Sequence, residues 1–227
     1  MQNLNKLNLE EFVKAITFVL SDNPKKQVDT LLFFSRSYGD SSEIVNLAVN
    51  LVKEGKANSI MLAEQDGEKL NGKIRGEANP GKELYIKSFV ERGIDRDNII
   101  VCPVLDPKVV GLHTSLEGQI LIHEAKRRKL KTGIVVAYPH QLLRIALGLL
   151  KSLENEKFDF KFWNAFPKQV DWSEKTTGSQ GMLLMDRSDH IDEETKRIIA
   201  YQEKGDLTTF QEFFDYIKNR DLTISNF

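Results

Sequence analysis

A chain of 227 residues is long enough to bury a real core, and suits one large domain or a domain with appended helices. With 41% apolar and 29% charged residues it has an ordinary globular make-up, and its formal net charge of −1 excludes a dedicated polyanion binder. Cys102 is the only cysteine, which excludes an internal disulfide and a cysteine-based zinc cage.

The amino terminus, Met1-Gln2-Asn3-Leu4-Asn5, carries neither a basic region nor a long apolar stretch. Apolar runs stop at about half a dozen residues, against the ~20 needed to cross a bilayer. A cytoplasmic location without an integral membrane segment is therefore expected.

The first element is a helix that Asn8 can cap, with Leu9, Phe12, Val13, Ile16 and Leu20 at helical spacing and Asn23-Pro24 as its stop. The period then changes. Residues 28–34 read as a short buried strand, followed by the polar turn Ser35-Arg36-Ser37-Tyr38-Gly39-Asp40. A helix with Ile44, Leu47, Ala48, Leu51 and Val52 inward follows, and Gly55 stops it.

Residues 59–63 form a second strand and residues 64–78 a long polar loop. Asn79-Pro80 opens a helix that buries Leu84, Phe89 and Val90 and ends at Gly93. A third strand spans residues 99–102 and ends on Cys102, which reads as a buried thiol. The next helix begins at Thr114, and a fourth strand covers residues 133–138. A leucine-rich helix over residues 141–153 should pack on both sides.

Phe158, Phe160 and Phe162 alternate with Asp159 and Lys161 and give a fifth strand. The chain is then irregular from Pro167 to Asp189, and two helices close it, over residues 191–204 and 209–219. Strands alternating with helices of about a dozen residues signal βαβ units, whose right-handed crossovers make the sheet mostly parallel. The expected architecture is one α/β domain over residues 1–227, with an N-terminal helix and a C-terminal helical extension. The basic run from Lys126 to Lys131 falls where a helix should end, and cations there complement the helix dipole.

In an open parallel sheet, ligands bind outside the carboxyl ends of the strands, where helix amino termini also converge. Tyr138-Pro139-His140-Gln141-Leu142-Leu143-Arg144 places a histidine at a helix start directly after an apolar strand. His140 and Arg144 share a helix face and could hold an anionic group, with His140 available for proton transfer. The alternative is a histidine capping its own helix and an arginine paired with a carboxylate. Thr114-Ser115-Leu116-Glu117 has the spacing of a capping box, and Glu83 sits in the first turn of its helix, where an acid is favoured.

His113, His123 and His190 form no metal motif. There is no Walker loop and no Gly-x-Gly-x-x-Gly, which argues against a standard nucleotide triphosphatase or NAD enzyme.

Taken in order, these segments resemble the YdcF-like domain family, which includes SanA-like and ElyC-like bacterial proteins; the resemblance spans roughly residues 29–153. Lys82-Glu83-Leu84 is similar to the family's acidic helix start, and Arg92-Gly93-Ile94-Asp95 with Ile99-Ile100-Val101 to its next segment. His113-Thr114-Ser115-Leu116-Glu117-Gly118 is similar to the threonine segment, and His140-Gln141-Leu142-Leu143-Arg144-Ile145-Ala146 to the last. The chain departs from the pattern at Ser35-Arg36-Ser37-Tyr38-Gly39 and Ala63-Glu64-Gln65-Asp66-Gly67, where the family has small or glycine-rich turns, and at Gly118, where it has asparagine. Larger side chains narrow the backbone approach that phosphates need.

The resemblance implies a Rossmann-like three-layer fold and a small-molecule site, with S-adenosylmethionine the ligand most often associated with it. It implies Glu83, Thr114, Glu117, His140 and Arg144 as site lining, with His140 and Glu83 the catalytic candidates. Ser35 joins Thr114, Glu117, His140 and Arg144 as a ligand-binding candidate because it directly follows the first strand. Arg144 would hold a negative group, His140 would act as acid or base, and Glu83 and Glu117 would orient polar groups. SanA-like and ElyC-like members carry membrane segments, and in having none this chain more closely resembles the cytoplasmic members.

The rival expectation is a non-catalytic interaction or regulatory protein with a degenerate site. Trp163, Trp172 and the Phe210-Phe213-Phe214 helix would then supply a partner surface. A phosphate-ester hydrolase is a thinner third. The partner expected is a small molecule and not nucleic acid; homodimer formation stays open.

Overall fold

The computed structural model describes residues 8–24, 26–34, 42–66, 69–70, 73–74, 80–106, 113–177 and 184–224. Helix α1 (Leu9–Ser21) starts at Asn8, whose side chain accepts a hydrogen bond from the Glu11 N–H at 3.4 Å. Strand β1 (Thr30–Phe33) is buried along its whole length and leads to α2 (Ser42–Lys53). Strand β2 (Ile60–Ala63) follows, then the two-residue strands β3 (Lys69–Leu70) and β4 (Lys73–Ile74), and then α3 (Lys82–Glu91).

A short 3₁₀ turn precedes β5 (Ile99–Cys102), and the chain continues through α4 (Thr114–Arg127) to β6 (Thr132–Val136). Helix α5 (Pro139–Glu156) has its proline in the first turn, where the missing N–H costs nothing. Strand β7 (Lys161–Ala165) is followed by the antiparallel pair β8 (Lys175–Thr177) and β9 (Leu184–Asp186). Helices α6 (His190–Lys204) and α7 (Phe210–Ile224) close the described chain.

The five long strands form one parallel sheet in the order β5-β2-β1-β6-β7. The chain winds outward from β1 to one edge, then crosses over through α4 to β6 and β7 on the other side. That is a doubly wound, Rossmann-like topology.

Helices cover both faces, so the inner strands β1, β2 and β6 are buried on both sides and read as nearly unbroken apolar runs, while the edge strands β5 and β7 are buried only in part. Period two sorts these runs into two cores. Leu31, Phe33, Ile60, Leu62, Ile134 and Val136 face α2 and α3, while Leu32, Met61, Val135 and Phe162 face α1, α4 and α5. As its leucine content predicts, α5 is buried nearly all round, against α1, α4, α6 and α7. Among the described residues no helix is long and apolar enough to cross a membrane.

Close packing fixes one glycine. A Cβ at Gly133 would lie 2.7 Å from the Phe160 ring, so only glycine lets β6 pass under that side chain. The cations ending α4 are bound within the fold, Arg127 and Arg128 to Glu124 and Lys126 to Glu156.

The sequence reading differs from the fold in four places. Val90, expected to be buried on α3, is 44% exposed, and Tyr85 is the residue buried there beside Phe89. The tract 64–78 contains β3 and β4, and the tract 167–189 contains β8 and β9; strands of two or three residues carry too little alternation to register. The aromatic alternation from Phe158 begins before the ladder does. Phe158 N–H closes the end of α5 on the Leu153 carbonyl at 3.1 Å, and pairing with β6 starts only at Lys161.

Candidate functional site

Strands β1 and β6 are neighbours, but the helices that follow them leave toward opposite faces. Their carboxyl ends therefore flank the sheet's topological switch point, the place where such folds leave a crevice. Tyr138, two residues beyond β6, is fully buried there and its hydroxyl donates to Glu43 Oε2 in the first turn of α2 at 2.5 Å. This bond ties the two diverging helices together.

Burial opposes charge on Glu43. The hydrogen bonds from Tyr138, its own backbone and Ser42, and the nearby Arg187 charge, outweigh it and hold the carboxyl below its ordinary value of 4.5. A depressed carboxylate stabilises the fold above its unfolded value, and that contribution is lost as pH falls through the folded one. Tyr138→Phe should therefore cost about 1 kcal/mol at pH 7, the low end for a charged acceptor because Glu43 is half-buried and screened. Urea denaturation across pH should show the gap between parent and variant closing below about pH 4.5. A gap unchanged from pH 7 to pH 3 would show that the bond to ionised Glu43 is not its source.

Above Tyr138 lies a column of rings. His140 stacks on Tyr138 at 5.9 Å and on His190 at 5.9 Å, and Trp172 meets it edge-on at 6.1 Å. His190, the first residue of α6, is buried with Nε2 3.0 Å from Thr176 Oγ1 on β8. Arg187 lies over the Tyr138 ring at 4.9 Å and donates to the Asp171 carbonyl and to Glu174 Oε2, each at 2.7 Å. The segment around β8 and β9 thus covers the carboxyl edge of the sheet.

His140 and Arg144 do share one helix face, and that face is docked on α6. His140 meets His190, and one turn on Arg144 donates Nε to Glu194 Oε2 and Nη2 to Glu194 Oε1, the latter at 3.1 Å. Arg197 adds a second bond to Glu194 Oε1 at 3.0 Å. Both rungs are four residues apart on each helix, so α6 runs alongside α5 in the same direction. Glu194 takes one edge of the guanidinium, and among the described residues Nη1 has no partner.

The start of α4 corrects the capping-box expectation. His113 is the cap, its Nδ1 accepting from the Leu116 N–H at 3.3 Å, and Thr114 is the first helical residue. Relieved of capping, the Thr114 and Ser115 hydroxyls have no partner among the described residues. They open on a cleft of about 400 Å³, lined also by His113, Gln119, Arg144, Ile145, Gly148, Tyr201, Asp206 and Leu207. Glu117, one turn into α4, is buried.

Of the residues expected at a site, the structure gathers Thr114 and Arg144 in this cleft and sets His140 one turn earlier on α5. Glu83 is exposed in the first turn of α3, which packs with α2 on the opposite face of the sheet. Ser35 lies outside the described residues. The sequence reading missed Arg187, Glu194, Tyr201 and Asp206, all from the tract it left irregular or treated as closing helices. It weighed His190 only as a metal ligand and Trp172 only as partner surface, whereas both rings pack on His140. One signal was available: His190 and Glu194 repeat the spacing of His140 and Arg144.

Trp163, Phe210 and Phe213 are buried and Phe214 packs on the core, which leaves Trp172, 38% exposed over His140, as the surface aromatic of that group. Cys102 is buried at the end of β5, where burial and the nearby Glu124 push its thiol up and leave it inert. Among the described residues no three His, Cys, Asp or Glu side chains gather as a metal site requires. Comparison with protein-family models, with curated proteins and with solved structures finds no match.

Proposed function

We propose that this chain is a small-molecule-binding protein that holds the anionic group of its ligand between Arg144 and the amino terminus of α4. One observation carries the reading. Thr114 and Arg144, from different helices, line a single cleft, and Glu194 fixes the guanidinium so that Nη1 is left for a ligand. The helix start adds free N–H groups and the positive end of its dipole, both of which favour an anion. An arginine already held in place loses little conformational freedom on binding.

The resemblance to the YdcF-like family, read as membership, adds a cytoplasmic bacterial protein and S-adenosylmethionine or a nucleotide-like compound as the ligand class. His140, one turn before Arg144, is then the group for proton transfer if the protein turns its ligand over.

The test is a thermal-shift screen with S-adenosylmethionine, its demethylated product, nucleotides, sugar nucleotides and phosphate. A ligand at a hundred times its Kd adds about 2.7 kcal/mol, or roughly 5–10 °C for a chain of this size. The shift should vanish in Arg144→Gln and fall in Thr114→Val, a half-buried position whose change leaves the fold intact. A shift of equal size in both variants would place the ligand elsewhere. No shift with any compound would end the reading.

A further inference from the structure

We infer that the ligand of this cleft is zwitterionic, with its anionic group on Arg144 and the α4 terminus and its cationic group on Asp206. The inference rests on the reading above and names the ligand class. Asp206 lies on the cleft with an exposed carboxylate that has no partner among the described residues. Its backbone is fixed: Gly205 ends α6 in the left-handed region at φ 78°, and Asp206 N–H bonds the Tyr201 carbonyl at 2.9 Å. The carboxylate is therefore presented from a closed turn.

Charge on the lining decides between ligand classes. Arg144 is 6% exposed and already shares Glu194 with Arg197, so the cleft offers one arginine edge against the carboxylate of Asp206. A phosphate with two negative charges would meet that carboxylate with no second Lys or Arg among the described lining residues to offset it. A compound carrying one charge of each sign meets an opposite partner at both ends. Ile145, Leu207 and Gly148 supply an apolar wall, with Gln119 and Tyr201 beside it. A free α-amino acid, or a compound ending in one, has this combination of groups, and about 400 Å³ accommodates it.

The experiment is calorimetric titration of the full chain with the twenty free L-amino acids. The corresponding 2-oxo acids, the decarboxylated amines and inorganic phosphate are titrated alongside. At least one amino acid should bind, and losing either its ammonium or its carboxylate group should weaken it tenfold or more. Asp206→Asn, at an exposed position that leaves folding intact, should weaken that amino acid tenfold and leave its 2-oxo acid unchanged. Arg144→Gln should abolish both. If phosphate or the 2-oxo acid binds as tightly as the amino acid, or Asp206→Asn binds the amino acid as the parent does, the zwitterion is overturned and the anion site stands. If no amino acid binds, the zwitterion is likewise overturned, and the anion site is judged on the thermal-shift series alone.

Discussion

Arg220→Met should lower stability by about 3–5 kcal/mol, the cost of breaking a buried ion pair from one side. Arg220 and Asp22 have side chains only 3% and 5% exposed. The guanidinium donates to Asp22 Oδ2 at 2.9 Å and Oδ1 at 2.8 Å, and to the Phe162 carbonyl at 2.7 Å. Its plane lies over the Trp163 ring at 5.1 Å, and Asn164 adds two bonds to Asp22 Oδ2 at 3.1 and 3.0 Å. The clasp joins the end of α1 to β7 and α7. Without Arg220, the Asp22 carboxylate stays buried with Asn164 alone, which cannot neutralise it.

Removing that charge should restore most of the loss, so Arg220→Met with Asp22→Asn is expected within about 2 kcal/mol of the parent. Urea denaturation of the three proteins measures both quantities. A single variant that costs less than about 1 kcal/mol would show that water reaches the pair and screens it.

The parallel sheet was legible because strands buried on both faces must be apolar throughout. Thr30–Phe33, Ile60–Ala63 and Thr132–Val136 announce themselves against the polar turns around them. Strand order was not legible, since nothing in the β1 run says that β2 and β6 flank it. The shared face of His140 and Arg144 was legible from helical spacing, but its partner was not. The groups that meet it, His190 and Glu194, begin an amphipathic helix fifty residues downstream, where their matching four-residue spacing is the one hint of a buried polar face.

The motif Thr-x-x-Glu makes the same point within one chain. At Thr209-Phe210-Gln211-Glu212 it forms a capping box, with Thr209 N–H bonded to Glu212 Oε2 at 2.7 Å and Glu212 N–H to Thr209 Oγ1 at 3.2 Å. At Thr114-Ser115-Leu116-Glu117 it does not, because His113 carries its own acceptor and caps the helix one residue earlier. The residue before the motif decides the outcome, and at α4 it decides that two hydroxyls open on a cleft.

Glu194→Leu should cost about 3–5 kcal/mol for the same electrostatic reason as the first variant, since it strands Arg144 in the α5–α6 interface. Arg197, a quarter exposed, can turn to solvent and adds little. The informative protein is the double variant, Arg144→Met with Glu194→Leu. Apolar side chains of similar volume replace buried ion pairs at little cost and often with gain, so its stability should return to within about 1 kcal/mol of the parent. Its ligand binding should not return, because the cation of the cleft is gone. Stability recovered without binding would mean that the pair serves the cleft, since the fold does as well without it. A double variant as unstable as Glu194→Leu would mean the reverse: the pair staples α6 to α5, and Arg144 meets the cleft only because the staple passes beside it.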